Sequence, residues 1–158
     1  PILHIADCTA AAAKGKGKVG LLGTEPTMRD GSWLKSRLGR HGVQTVVPSV
    51  KADLQRCYDI ICQELSLDIF TDESRSFFVD LIRRLHAKEG AEAGVILGCT
   101  EIELLVKQSD VPDVPIYRSA ELHIEAVARV QAGVASIKDF LPVDEDSSTP
   151  PAKRLKGA

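Results

Sequence analysis

Short apolar runs alternate with amphipathic stretches along most of this chain, and that alternation limits the folds open to it more than any single residue does. Ile2–Ile5, Val19–Leu22, Val43–Val47, Gly94–Leu97 and Val114–Tyr117 read as strands, with helices expected near 8–14, 29–40, 52–66, 73–89, 101–108 and 119–132. Strand, helix, strand in this order implies right-handed crossovers and an α/β fold with a mostly parallel sheet and helices on both faces. In open sheets of that kind ligands gather at the carboxyl ends of the strands. The loops after Leu22, Val47, Leu97 and Tyr117 should therefore face one cleft. Helix faces agree: Phe77, Phe78, Leu81, Ile82 and Leu85 form one stripe, while Asp72, Glu73, Arg75, Arg83, Arg84 and Lys88 supply a solvated face.

The stretch Gly94-Val95-Ile96-Leu97-Gly98-Cys99-Thr100-Glu101 places a cysteine where an apolar run bounded by glycines gives way to a helix. Such a run suits a strand covered on both faces. Free backbone N–H groups and the helix dipole favour a thiolate in front of a helix, so Cys99 can serve as nucleophile or base. A small buried residue is the alternative reading. Gly98 would let a substrate approach the backbone, Thr100 can cap the helix or bind a carboxylate, and Glu101 can bind helix amides or position Cys99. Gly23-Thr24-Glu25-Pro26-Thr27 forms a second turn after a strand. Its amides and the Thr24 and Thr27 hydroxyls can hold a carboxylate, although N-capping by Thr27 would use the same group. A P-loop is excluded, because the Gly-Lys-Ser/Thr ending is missing.

Gly-Cys-Thr-Glu with Leu104-Leu105, ahead of Val114-Pro115-Ile116-Tyr117 and Leu122-His123, resembles the aspartate/glutamate racemase family. Lys18-Val19-Gly20-Leu21-Leu22-Gly23-Thr24 with Thr27-Met28, and Pro1-Ile2-Leu3-His4-Ile5-Ala6-Asp7, resemble two further segments of that family in its order. The resemblance implies epimerisation of aspartate or glutamate without pyridoxal phosphate or any other cofactor. It implies two opposed proton-transfer residues, one of them Cys99, with Thr24, Thr27 and Thr100 binding substrate. The other lies, in the family, in a Cys-Asn-Thr-type motif upstream of the segment matching Pro1, so the expectation is the C-terminal portion of a longer protein. A division follows: residues 1–17 end a first half-domain, 18–110 form the second, 111–140 return to the first, and 141–158 are a disordered tail. Where the family often has Asp-Thr/Ser-Thr, this chain has Arg118-Ser119-Ala120. Arg118 reverses the local charge and can bind a distal carboxylate bidentately. His123 either contributes to the site or orients the helix end, and a homodimer is a further possibility. A catalytically inactive remnant, or a related hydantoin racemase or malonate decarboxylase, would share these features.

With 20 basic and 22 acidic residues among 158, the charge balance carries no signature of nucleic-acid or membrane binding. Nothing approaches the roughly 18 consecutive apolar residues of a membrane span. Cys8, Cys57, Cys62 and Cys99 show no metal-ligand spacing and no disulfide framework, which points to cytoplasmic thiols and no metal. Cys57 and Cys62 fall on the stripe Leu54, Cys57, Tyr58, Ile61, Cys62, Leu65 and are expected in the core, leaving Cys99 as the most reactive thiol. Cys8 is read as structural and His4 as a hydrogen-bonded core residue within the first strand. The polar tail carries Pro151-Ala152-Lys153-Arg154-Leu155-Lys156, which suits either a solvated end or a nuclear-import signal.

Overall fold

The computed structural model describes residues 2–142, so the expectations for the tail from 143 onward lie outside the described residues. Four parallel strands, β1 (Val19–Leu22), β2 (Thr45–Val46), β3 (Val95–Leu97) and β4 (Ile116–Arg118), form one sheet in the order β2-β1-β3-β4. Every residue of β1 and β3 is buried, so side chains on both faces of the sheet are covered. The helices are α1 (Ile5–Ala13), α2 (Glu25–Met28), α3 (Trp33–Arg40), α4 (Lys51–Gln63), α5 (Asp72–Lys88), α6 (Thr100–Leu105) and α7 (Ser119–Gln131). Helix α5 packs on β1 and β3, while α1 packs on α3, on α7 and against β4. Phe78, Leu81, Ile82 and Leu85 are fully buried from α5. Each such side chain contributes about 1.5–3 kcal/mol relative to exposure. No described helix is long and apolar enough to cross a membrane.

Several expectations are corrected. Ile2–Ile5 is not a strand: Ile5 begins α1, and His4 is its half-buried N-cap, its Nδ1 accepting from Ala6 N at 3.1 Å while its ring meets Trp33 edge-on. The His4 cap takes the chain into a helix at Ile5, and Ile2–His4 forms no strand of the sheet. The helix expected over 29–40 begins only at Trp33, because Ser32 caps α3 by accepting from Lys35 N, and a separate short α2 with Pro26 in its first turn precedes it. Cys62 is exposed whereas Cys57 is buried. The inward face of α4 is centred on Cys57, Ile60 and Ile61, which turns Tyr58 and Cys62 toward solvent. Leu141 and Pro142, taken as the start of the tail, follow a short 3-10 turn at Ile137–Phe140; Phe140 packs with Cys8 and Ala126.

Two features hold the layers in place. Asp7 of α1, with no exposed surface, accepts two hydrogen bonds from Arg37 of α3, at 2.7 and 2.9 Å, and one from His41 Nε2 at 2.8 Å. Burial raises the Asp7 pKa, but Arg37 and His41 outweigh it and hold the carboxyl below its ordinary value. At the start of β3, Gly94 has φ +108° and a Cβ there would lie 2.2 Å from the Pro115 carbonyl oxygen, so β4 closes on β3 only because this position lacks a side chain.

Gly94→Ala should lower stability by about 3 kcal/mol, read as a lower urea midpoint at unchanged slope, because strain at positive φ adds to overpacking. The Asp7 carboxylate, depressed in the folded state, stabilises the protein above the unfolded pKa of about 3.9, and that contribution disappears as pH falls through the lower folded value. Asp7→Asn should therefore cost about 3 kcal/mol at neutral pH and flatten the loss of stability measured below about pH 4.

Candidate active site

Parallel pairing brings the carboxyl ends of three strands level. Leu22 of β1 is in register with Leu97 of β3, and Leu97 with Arg118 of β4, so the turns at 23–27, 98–100 and 118–120 leave the same sheet edge side by side. The first two turns touch. Gly98 N donates to the Leu22 carbonyl at 2.7 Å, and a Cβ on Gly23 would lie 3.5 Å from the Gly98 carbonyl oxygen. The close approach expected at Gly98 is made by the protein itself: a Cβ there would meet Leu21, the Leu22 carbonyl and Leu34 within about 3.2 Å.

Thr24 is the N-cap of α2 through its backbone, accepting from Thr27 N and Met28 N, and its side chain makes no capping bond. The Thr24 and Thr27 hydroxyls pair with each other at 3.2 Å. One hydroxyl hydrogen is used in that bond and the other is free for a ligand oxygen. N-capping by Thr27 is thereby replaced: Ser32 caps α3 instead.

Cys99 is the N-cap of α6, half-buried, and makes no side-chain capping bond. Its Sγ donates to Glu101 Oε2 at 2.9 Å, and Thr100 Oγ1 donates to the same oxygen at 2.9 Å. Burial pushes the Cys99 thiol up to about 12, the Glu101 carboxylate adds to that, and backbone N–H groups at the start of α6 only partly oppose it. The expectation of a thiolate favoured by the helix start is therefore corrected. A helix of six residues supplies too little field to overcome burial and an adjacent anion. The Glu101 carboxyl is held below its ordinary value chiefly by the bond from Cys99, against the effect of burial.

Arg118, the last residue of β4, lies in a recess with Thr100, Leu104 and Glu121. Its guanidinium donates to Glu121 Oε2 at 2.6 Å and, at the 3.5 Å limit, to the Glu103 carbonyl, while its buried Nε has no hydrogen-bond partner among the described residues. His123 donates from Nε2 to the Leu3 carbonyl at 3.1 Å, fastening the segment that enters α1. Among the described residues no group of three or more His, Cys, Asp or Glu side chains is placed to hold a metal ion.

Sequence reasoning missed Glu103. This buried carboxylate accepts from Ser119 Oγ at 3.0 Å, Ala120 N at 2.8 Å and Glu121 N at 3.4 Å, so it closes the N-terminus of α7 from within α6. Ser119 Oγ also donates to the Leu97 carbonyl at 2.7 Å. The available signal was its place among the apolar residues Ile102, Leu104 and Leu105.

The family model for Asp/Glu/hydantoin racemases matches residues 1–127. A candidate Asp/Glu racemase from Yersinia pestis superposes with a TM-score of 0.74 and 38% identity, covering 84% of this chain and 56% of its own. An aspartate racemase homologue from Pyrococcus horikoshii OT3 superposes with a TM-score of 0.72 and 34% identity, covering 84% of this chain and 57% of its own. The chain belongs to the Asp/Glu/hydantoin racemase family and has its α/β fold. It spans a little over half the length of those two proteins.

The environments of the four thiols set an order of reactivity different from the one expected from sequence. Exposed Cys62 should react with iodoacetamide first, Cys99 slowly, and buried Cys8 and Cys57, pushed up to about 11 and about 12 by burial, slowest. Peptide mass spectrometry of the folded protein after timed alkylation reads this order directly.

Proposed function

We propose that this chain carries one side of a cofactor-independent amino-acid racemase site, with Cys99 as a proton-transfer residue and an acidic amino acid as substrate. The observation that supports this reading most is the placing of Gly98-Cys99-Thr100-Glu101 at the end of β3, directly against the Thr24/Thr27 turn of β1. Abstracting an α-proton next to a carboxylate builds negative charge that must be met by fixed donors. The free hydroxyl hydrogen of the Thr24/Thr27 pair is suited to hold the α-carboxylate beside the Cys99 thiol, while the Thr100 hydroxyl is already given to Glu101.

Inversion requires a base on one face of the α-carbon and an acid on the other. Cys99 serves one face. The opposing residue is assigned to the part of the racemase fold that the two relatives possess beyond the matched 56% and 57% of their lengths. In the same reading the packed pair α1 and α7 goes with residues 1–17 and 111–140 as one half-domain, and 18–110 forms the other. Residues 1–158 alone should then exchange the substrate α-proton poorly and racemise aspartate inefficiently.

A second reading, a family member that keeps the fold and a binding role without turnover, is favoured by one feature. Arg118, the group suited to a distal carboxylate, already pairs with Glu121. A ligand carboxylate must displace or share that partner, which reduces the net value of the contact from the several kcal/mol of a buried pair to about 1.4 kcal/mol, or tenfold.

Calorimetric titration tests the ligand binding that both readings require, and exchange of the aspartate α-proton with deuterated solvent separates turnover from binding alone. Wild-type protein should bind aspartate or glutamate more tightly than alanine, and Arg118→Ala should weaken the dicarboxylic ligands about tenfold while leaving alanine unchanged. Absence of any dicarboxylic amino-acid binding by the wild type would remove the racemase reading.

A further inference from the structure

Resting on the racemase reading, we propose that Glu101 is a positioning residue that keeps Cys99 a thiol at rest and makes its thiolate, once formed, a strong base. The geometry that carries this is one oxygen with two donors: Glu101 Oε2 accepts from Cys99 Sγ and from Thr100 Oγ1, each at 2.9 Å. Thr100 fixes the carboxylate, and the carboxylate fixes the direction of the S–H bond. Glu101 itself accepts no proton in the cycle.

The surroundings leave Glu101 as the principal charge acting on the thiol. Around Gly98, β1 and α3 present the Leu21 and Leu34 side chains and the Leu22 carbonyl, and the 24–27 turn presents two neutral hydroxyls. Arg118 is paired with Glu121, and Glu103 is bound to the first turn of α7. Burial and Glu101 together hold the thiol near 12.

Two consequences follow for the chemistry. In the resting state Cys99 is the acid: its S–H bond breaks as a C–H bond forms at the carbanion, and the electron pair stays on sulfur. The thiolate then stands beside the Glu101 carboxylate, and their repulsion raises its basicity. In the reverse direction it removes the α-proton, the C–H electron pair remaining on carbon. A weakly basic thiolate, the usual aim in a nucleophilic cysteine, would be poorly matched to so weak a carbon acid. The Glu101 arrangement trades the amount of thiolate for its basicity.

The test is the pH profile of Cys99 alkylation by iodoacetamide in the folded chain, in a Cys62→Ser background that removes the exposed thiol. With Glu101→Gln the inflection should move down by about one pH unit. Thiolate then rises about tenfold at pH 8, offset by lower intrinsic nucleophilicity, for a net gain of about threefold in rate. Glu101→Asp, which keeps the charge, should stay closer to wild type. An unchanged inflection in Glu101→Gln, or a slower reaction, overturns the proposal.

Should Glu101→Gln fail to fold by circular dichroism, Thr100→Val serves instead. It releases the second donor on Oε2 and should leave the carboxylate a better acceptor for the thiol, slowing alkylation; faster alkylation overturns the proposal. Deuterium exchange into aspartate by the same proteins reports separately. If the thiol profile shifts as expected while no protein binds or exchanges any amino acid, the racemase reading fails and the Cys99–Glu101 relation stands.

Discussion

The site depends on the parallel register that sets Leu22, Leu97 and Arg118 side by side. Those pairings are made by backbone hydrogen bonds in strands of two to four residues, so the side-chain burial around them must hold the sheet together. Val95, Ile96 and Leu97 are fully buried between β1 and β4, with α5 against them. The turn that carries Cys99 therefore leaves a fully buried strand paired along both edges. A turn anchored in this way positions a side chain more firmly than one leaving an edge strand.

Three carboxylates set the electrostatics, and each is answered differently. Asp7 is neutralised by Arg37 and His41, which fasten α1 to α3. Glu103 is answered by the N–H groups and the Ser119 hydroxyl at the start of α7, so a helix end that would attract an external anion is already occupied. Among the described residues Glu101 has no cation as a hydrogen-bond donor; a thiol, a hydroxyl and its own backbone N–H serve instead. A carboxylate with neutral donors keeps its field, and the neighbouring Cys99 feels it. The three groups thus divide the work: two fix the frame and one tunes the thiol.

Much of the architecture was legible in the residues. Apolar runs at 19–22 and 95–97 marked the central strands because complete burial leaves no polar alternation, and the stripe on α5 marked its inner face because helical spacing alone decides it. The Gly-Cys-Thr-Glu stretch and the Thr24/Thr27 turn stood out through the resemblance to Asp/Glu racemases. The failures have physical causes too. Ile2–Ile5 has strand-like composition, but His4 caps a helix that begins at Ile5, and Cys62 lies on the apolar edge of a stripe wider than the face that α4 buries.

The sequence by itself determined the central strands, the main amphipathic helices and the parallel sheet, since each follows from local periodicity. Only the tertiary structure decided what those residues do to one another. Asp7 meets Arg37 and His41 from more than two dozen positions away, and Glu103 reaches Ser119 across a separate strand. Even between near neighbours, whether Cys99 responds more to helix amides or to the Glu101 carboxylate depended on burial and side-chain rotation. Those are settled by packing, which no pattern along the chain records.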